Sequence, residues 1–176
     1  KAKREAKIIA EEVRKLEFVM SNVLNYSRFL PQKLDSGNYN LNEFTKATVV
    51  KFAKLYNQIR FEFKSDHDLT VCFSKEMMGI CFDDLIRNAK EAHSKHIWIR
   101  TKIKPKIKRF LITITNDGDQ IDSAVLDEIF DPFFTTKTAG TGLGLSNVQA
   151  IIHAHGGNIA VESNKSVTIF RIYLPI

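Results

Sequence analysis

A glycine-rich segment at residues 138–145 has the composition best suited to chemistry in this sequence. Glycines alternate with other residues before a helical pattern, in the order Thr138, Ala139, Gly140, Thr141, Gly142, Leu143, Gly144 and Leu145. Glycine permits positive φ angles and a close approach of the backbone. The start of the following helix offers unpaired N–H groups and the positive end of its dipole. The segment therefore predicts a phosphate-binding turn, with an ordinary turn as the alternative.

Polar residues on one predicted helix could hold a metal ion. Asp84 and Asn88 are four residues apart, so they share a helix face. An amide oxygen with a carboxylate nearby suits Mg²⁺, which takes few protein ligands and keeps several waters. A solvated polar face is the alternative for this helix taken alone.

Two further segments mix polar and apolar residues in predicted loops. A strand ends in the polar glycine turn of residues 116–121, which an ordinary turn would also explain. Residues 129–137 hold three phenylalanines beside polar residues and end at Lys137. A mobile flap that turns its phenylalanines inward while Lys137 faces a phosphate would account for this composition. A buried loop anchor is the alternative.

The overall composition indicates a globular protein. The chain has 176 residues, of which 44% are hydrophobic and 26% charged, close to the globular average. No apolar run approaches the roughly 18 residues of a membrane span, so we expect a soluble, cytoplasmic chain whose membrane anchor, if any, lies outside it. Cys72 and Cys81 lie in apolar segments without metal-ligand spacing, which predicts buried, reduced thiols.

The formal charge of +6 lies largely in the first predicted helix and in the lysine-rich stretch 102–109. In that stretch cations alternate with apolar residues around Pro105, which is typical of a solvated hairpin face. Nucleic-acid binding would need a broader basic surface with stacking aromatic side chains. We therefore expect no nucleic-acid partner.

The N-terminal residues show a heptad pattern that predicts a long coiled-coil-type helix. Apolar or small residues recur in steps of four and three over residues 1–30. Such a stripe is buried only against another helix, so the pattern predicts a helical bundle. Pro31 ends the helix, and the polar residues 32–40 are interpreted as a linker. We place a partial helical domain with its linker at 1–35 and a second domain at 36–176.

The remaining residues alternate between helical and strand patterns, and these elements must position the four segments above. Helices are predicted at 41–56, 74–93 and 142–155, the second capped by Ser74 and the third ended by two glycines. Strands are predicted at 59–63, 69–73, 97–103, 110–115, 158–162 and 167–174. This order predicts an α/β (α+β) two-layer sandwich, with a mixed sheet and helices on one face.

Taken together, the four segments resemble the N, G1, F and G2 boxes of the Bergerat-fold ATPases, the superfamily of gyrase, mismatch-repair ATPases and histidine kinases. The motifs span residues 84–145, and the order of elements extends the resemblance over 41–176. Residues 130–137 followed by 140–145 are particularly similar to histidine kinases. Residues 14–28 resemble the second helix of the dimerisation hairpin of those kinases, in agreement with the heptad pattern.

The resemblance implies a site for ATP and Mg²⁺ and transfer of the γ-phosphoryl group to a histidine, where positioning and charge neutralisation do most of the catalysis. The implied catalytic residues are Asp84, Asn88 (also the Mg²⁺ ligand) and Lys137. The backbone near Gly118, with Asn116 and Ile121, would line the adenine pocket. The mobile lid would contain Phe133, Phe134, Thr135, Thr136 and Lys137. The phosphates would lie near Arg87 or Lys90, and against Gly140, Thr141, Gly142, Leu143, Gly144 and Leu145.

Four positions depart from the family pattern. Asn116 stands where an Asp usually accepts a hydrogen bond from the adenine amino group. We expect its carbonyl oxygen to accept instead, with weaker but retained adenine selectivity, which equal affinities for ATP and GTP would reject. Gln120 replaces a glycine and stiffens the turn, and Glu91 replaces a common basic residue, for which a nearby cation would substitute. Asp84 stands where hydrolysing relatives have a water-activating Glu, which predicts some intrinsic ATPase activity.

No histidine lies on the predicted heptad helix or begins a phosphoacceptor motif; the five are His67, His93, His96, His153 and His155. We expect the chain to begin after the phosphoacceptor helix, to dimerise through its N-terminal helix in the full-length protein and to serve a response regulator receiver domain. Two alternatives stay open. One is a Bergerat-fold ATPase or serine kinase outside two-component signalling. The other is a catalytically inactive nucleotide-sensing dimerisation module, which Asn116, Gln120 and Glu91 favour.

Overall fold

The computed structural model describes Val13 and residues 35–66, 68–137 and 140–176. Its helices are α1 (Leu41–Leu55), α2 (Lys75–Glu91) and α3 (Gly144–Ala154). Its strands are β1 (Gly37–Asn40), β2 (Arg60–Ser65), β3 (Thr70–Phe73), β4 (His96–Lys104), β5 (Arg109–Asn116), β6 (Asn158–Ser163) and β7 (Thr168–Pro175). Apart from Val13, the predicted heptad helix at 1–30 lies outside the described residues, and the domain boundary stays a prediction.

A five-stranded mixed sheet in the order β2-β4-β5-β7-β6 forms one layer of the molecule. β2 runs parallel to β4, and all other neighbours in this sheet are antiparallel. The parallel pair is possible because the chain forms β3 and α2 between these strands, which supplies the long crossover that parallel strands need. The mixed sheet of the predicted fold class is confirmed.

The helices cover one face of this sheet, as predicted. Alternate side chains of the three central strands are buried on that face: Ile97, Ile99, Ile112, Ile114, Phe170 and Ile172. The same core contains, from α2 and α3, Met78, Phe82, Leu85, Ile86, Val148, Ile151 and Ile152. Burial of these rows fixes α2 and α3 on the sheet, so the polar residues near their ends have defined positions.

Two helices begin at capping side chains. Asn40 Oδ1 accepts hydrogen bonds from the N–H groups of Asn42 at 3.0 Å and Glu43 at 3.1 Å. Ser74 Oγ accepts from the N–H of Met77 at 3.4 Å, which confirms the predicted start of α2. These caps fix where each helix starts and therefore which residues of α2 face the sheet.

The interpretation of residues 32–40 as a linker is wrong for residues 37–40. They form β1, which pairs with β3 in a separate two-stranded antiparallel sheet. The Tyr39 ring packs edge-on against Phe73, with ring centres 5.5 Å apart. The polar composition hid this strand because strand formation depends on the partner strand and on packing more than on local preference.

The prediction that both cysteines are buried is wrong for Cys72, which is exposed. Side chains alternate along β3, so Val71 and Phe73 enter the core while Cys72 faces the other side. Cys81 on α2 is buried, and this burial raises the pKa of its thiol well above the ordinary value. The Cys81 thiol therefore stays protonated at neutral pH.

Candidate functional site

A cleft of about 560 Å³ lies between α2, the loop after β5 and the start of α3. The end of α2 contributes Arg87, Asn88, Ala89, Glu91 and Ala92. The sheet and the loop after β5 contribute Asn116, Asp119, Gln120, Ile121, Asp122, Val125, Ile129, Thr168 and Phe170. The loop before α3 and its first turn contribute Phe134, Thr135, Thr136, Lys137, Gly140, Thr141, Gly142, Gly144 and Leu145. This volume is typical of a small-molecule site.

The α2 wall carries polar side chains that suit phosphates and a metal ion. Arg87, Asn88 and Glu91 line the cleft because they lie on the face of α2 turned away from the core. Lys90 does not line it, because its ammonium lies 4.8 Å from the centre of the Tyr56 ring. Of the two cations predicted to substitute for a basic residue at position 91, the geometry favours Arg87.

Asp84 lies one helical turn before Asn88 and is nearly buried, with 9% of its side chain exposed. The Arg87 guanidinium donates a hydrogen bond to Asp84 Oδ1. Burial raises the pKa of Asp84 from 3.8 to about 6; Arg87 opposes this rise, whereas the negative charges of Asp83 and Glu91 add to it. Asp84 does not line the cleft itself, but it holds the guanidinium that does.

Asn116 ends β5 and is 3% exposed. Its Oδ1 accepts hydrogen bonds from the Ser94 hydroxyl at 3.0 Å and from the Gly118 N–H at 3.1 Å. The oxygen that we expected to accept from a ligand is thus engaged within the protein. Gly118 does not line the cleft; a Cβ there would lie 2.5 Å from the carbonyl oxygen of Ala92, which explains the glycine.

The loop before α3 forms the opposite wall. Phe134 lines the cleft, but Phe133 is 65% exposed at a φ of 69°, so the prediction that the phenylalanines of this loop turn inward is wrong for Phe133. The Phe133 N–H donates to the carbonyl oxygen of Gly142 at 3.0 Å. A Cβ on Gly142 would lie 2.3 Å from the carbonyl carbon of Phe133, and its φ is 67°, so only glycine fits there. This contact joins the two ends of the loop and holds Phe133 outward.

Lys137 connects this loop to α2. Its ammonium lies 2.5 Å from Glu91 Oε2, and both side chains are 42% exposed. Lys137 was predicted to face a phosphate, and here it meets a carboxylate on the same side of the cleft as Asn88. The ion pair therefore joins the two walls across the site.

The start of α3 borders the cleft without a capping side chain. Leu143 is the N-cap residue, and its apolar side chain cannot cap the helix, while Gly144 and Leu145 line the cleft. Leu143 itself is buried rather than lining. The first N–H groups of α3 thus lie beside the cleft, where an anion would satisfy them.

Sequence reasoning found Ile121, Phe134 and Leu145 but missed the rest of the apolar lining of the cleft. Ile129 and Phe170 line it, and Phe170 comes from β7, far from the other motifs in the sequence. No local motif marks these residues; only the strand alternation that turns Phe170 toward the helices would have pointed to it. Glu91 was noticed as a departure but not as a lining residue, although its spacing of three from Asn88 places both on one helix face.

Comparison with known proteins defines the class. Residues 75–176 match the family model described as "Histidine kinase-, DNA gyrase B-, and HSP90-like ATPase", and the chain belongs to this family. The signal transduction histidine-protein kinase AtoS of Escherichia coli strain K12 is 32% identical over 174 residues, 96% of this chain and 28% of AtoS. The sensor histidine kinase ZraS of Salmonella typhimurium is 32% identical over 176 residues, 97% of this chain and 37% of ZraS.

A solved structure agrees with this assignment. Histidine kinase ThkA, in complex with the response regulator protein TrrA, superposes with a TM-score of 0.78 at 29% identity, over 99% of this chain and 51% of that chain. The chain thus spans about half of ThkA, 28% of AtoS and 37% of ZraS. The predicted likeness to the catalytic ATP-binding domains of sensor histidine kinases is confirmed. Within the described ranges, no helix is long and apolar enough to cross a membrane.

Proposed function

We propose that this chain is the catalytic region of a sensor histidine kinase, which binds Mg-ATP in the cleft and transfers the γ-phosphoryl group to a histidine on a hairpin helix outside this chain. One observation carries the proposal. Asn88 from α2, Lys137 from the loop and the uncapped start of α3 converge on a single cleft. Each suits a phosphate or its metal ion, and the remaining lining includes the apolar residues Ile121, Ile129 and Phe170, which suit a base.

The residues present fit a magnesium ion. Asn88 offers a neutral amide oxygen, and Mg²⁺ typically takes only one or two protein ligands because it keeps waters and phosphate oxygens. When bound, the ion would neutralise charge on the phosphates. Burial of Leu85, Ile86 and Ala89 in the core fixes this turn of α2, so the position of Asn88 on the cleft wall would not depend on the nucleotide.

The chain's own groups would position the triphosphate. We infer that Arg87 and the first N–H groups of α3 bind phosphate oxygens, with Asp84 orienting the Arg87 guanidinium through their hydrogen bond. The Lys137 ammonium would leave Glu91 and bind a phosphate oxygen instead. Thr135, Thr136, Gly140 and Thr141 would form the lid above the phosphates, since all four line the cleft.

We also propose that Asp84 supports slow ATP hydrolysis through Arg87, because Asp84 does not line the cleft but accepts a hydrogen bond from the guanidinium that does. That hydrogen bond would keep Arg87 directed at the phosphates. Hydrolysis by an Asp84→Asn variant would be slower at pH 7.5, measured by phosphate release at saturating Mg-ATP. Unchanged hydrolysis would remove Asp84 from this role.

The partners follow from the same proposal. The heptad pattern over residues 1–30 supports a homodimer through the N-terminal helix of the full-length protein. A receiver domain of a response regulator would take the phosphoryl group, in line with the complex of ThkA with TrrA. We place this region in the cytoplasm, with any membrane anchor outside it, and propose no nucleic-acid partner.

Phosphotransfer to a separately made first hairpin helix tests the proposal. The chain is mixed with that helix and labelled Mg-ATP, and acid-labile, base-stable label on histidine is expected. Asn88→Ala should abolish the label, whereas the control Asn158→Ala, at an exposed position on β6, should keep it. Label that is acid-stable would indicate a serine kinase instead, and phosphate release without labelled helix would indicate an ATPase outside two-component signalling.

A catalytically inactive nucleotide-sensing module is the second candidate. The contact of Lys137 with Glu91 favours it, because a carboxylate in the cleft repels phosphates and engages the lid cation. Saturable Mg-ATP binding with no label on the helix, under conditions where a known histidine kinase labels its own helix, would support this candidate and contradict the kinase.

A further inference from the structure

The side chain of Asn116 is a buried polar group of the cleft with a fixed orientation. Its Oδ1 accepts from Ser94 and from the main-chain N–H of Gly118, at 3.0 Å and 3.1 Å. Turning the amide over would place its NH₂ group against the Gly118 N–H, a donor against a donor. The two lone pairs of the carbonyl oxygen are thereby used inside the protein.

The donors to Asn116 are themselves held tightly. Gly118 approaches Ala92 and Ser94 so closely that an added Cβ would lie 2.8 Å from the Ser94 oxygen. The next residue, Asp119, donates its N–H to the carbonyl oxygen of Ala92 at 2.7 Å. The turn after β5 is therefore fixed against the end of α2, and the carbonyl oxygen of Asn116 cannot be released by a small shift of this turn.

The Asn116 amide nitrogen remains for a ligand. It donates to no residue in the described part of the chain, and it is not among the fully enclosed side-chain atoms that lack a hydrogen bond. Asn116 lines the cleft beside Thr168, its partner across the β5–β7 pair, and Phe170 follows on β7. Asn116 therefore offers N–H donors and no free acceptor at this part of the cleft.

A side chain that can only donate hydrogen bonds distinguishes purines by the group at position 6 of the base. Adenine carries an amino donor there, whereas guanine carries a carbonyl acceptor, as does hypoxanthine. An asparagine reads adenine when its oxygen accepts from the amino group and its nitrogen donates to N7, and in this chain that oxygen is engaged. Donor-only side chains pair instead with O6 and N7 of guanine.

We propose that the cleft binds the 6-oxopurine triphosphates ITP and GTP more tightly than ATP, with Asn116 as the specificity-determining residue. This inference rests on the proposed function, because it requires a nucleotide in the cleft with its base toward Asn116. The mismatch of two donors with adenine corresponds to about a tenfold weaker affinity.

A ligand series on the whole chain tests this without any substitution. Dissociation constants are measured by calorimetry for the Mg²⁺ complexes of ITP, ATP and purine riboside triphosphate, which lacks a group at position 6. ITP is expected to bind tightest and ATP weakest, with about tenfold between them. Binding of ATP that is as tight as that of ITP, or tighter, would overturn the inference. If none of the three binds to a folded sample, the proposed function fails instead.

The variant Asn116→Asp tests the residue itself. A carboxylate keeps one oxygen for Ser94 and Gly118 and offers the second as an acceptor, so the ratio of ATP to ITP affinity should rise about tenfold. A ratio equal to that of the control Asn158→Asp would overturn the role of Asn116. Circular dichroism confirms that each variant is folded, and the ligand series on the original chain decides the matter if Asn116→Asp does not fold.

Discussion

The two walls of the cleft are built in opposite ways. The α2 wall is one face of a capped helix whose other face lies in the core through Met78, Phe82 and Leu85. The loop wall, residues 131–137 and 140–143, is largely exposed and is tied down by the Phe133–Gly142 hydrogen bond and the Lys137–Glu91 ion pair. A fixed wall can hold a metal ligand in place, while a loosely tied wall can move as a nucleotide enters and leaves.

Replacing one phenylalanine by alanine in α2 and one in the loop should give the largest difference in the free energy of unfolding. Phe82→Ala removes a fully buried ring from α2 and should lower the free energy of unfolding by about 3–5 kcal/mol. Phe133→Ala removes a ring that is 65% exposed and should change it by less than about 0.5 kcal/mol. Urea denaturation measures both, and comparable losses would show that the loop is not the weaker wall.

The stability of the α2 wall should depend on pH through Asp84. Its pKa in the folded chain, about 6, lies above the ordinary 3.8, so protonation favours the folded state. That stabilisation is complete below pH 3.8 and is lost as the pH rises through about 6. At about 1.4 kcal/mol per pH unit, the loss is up to ~3 kcal/mol.

Asp84→Asn removes this dependence. Relative to the original chain, the variant should gain unfolding free energy as the pH is raised from 4.5 to 7.5, in urea denaturation at each pH. The control Asp127→Asn changes an exposed carboxylate, and its difference from the original chain should stay nearly constant. If the difference in unfolding free energy between Asp84→Asn and the original chain does not change with pH, Asp84 is not buried as described.

Two glycine substitutions separate backbone strain in the loop from helix propensity in α2. Gly142→Ala forces an alanine to a positive φ and into Phe133, and should cost about 1–2 kcal/mol and weaken Mg-ATP binding. Gly79→Ala, in α2 with no atom within 4 Å of the added Cβ, should stabilise the chain by up to ~1 kcal/mol and leave binding unchanged. Thermal unfolding and calorimetry report the two effects, and tighter nucleotide binding by Gly142→Ala would contradict the loop geometry.

Removing the Lys137–Glu91 ion pair, which connects the two walls, should have the smallest effect of these changes. Glu91→Gln removes a carboxylate from the cleft and releases Lys137, and should tighten Mg-ATP binding about two- to fivefold, because an exposed ion pair is worth only about 0.2–1 kcal/mol. Lys137→Met should weaken binding. In the double variant the benefit of Glu91→Gln should be smaller, and strict additivity of the two effects would show that the ion pair does not hold the loop.

The α2 wall and the main sheet behind it are also the parts of the fold that the sequence predicts best. Helical spacing and the Ser74 cap predicted the extent of α2, and the strand patterns predicted four of the five strands of the main sheet within one residue at each end. The fifth, β2, was predicted at 59–63 and is found at Arg60–Ser65. Local pattern suffices there because burial of one face dictates the residue types. It failed for β1, whose formation depends on the distant partner β3.

The chemistry of individual side chains was less predictable. The orientation of the Asn116 amide is set by Ser94, which is 22 residues away in the sequence. The partner of Lys137 is 46 residues away, and the outward position of Phe133 depends on its contact with Gly142. Motifs identify which residues meet at the cleft, but the hydrogen bonds between them arise only when the chain is folded.

Titration of the folded chain with Mg-ATP, monitored by calorimetry, determines whether the cleft is a nucleotide site. The cleft between Asn88 and the start of α3 predicts saturable binding to one site per chain. Asn88→Ala should weaken it at least about tenfold, in the range expected for losing a charge-assisted metal contact. If a sample that circular dichroism shows to be folded gives no saturable heat with Mg-ATP or with Mg-ITP, the cleft is not a nucleotide site.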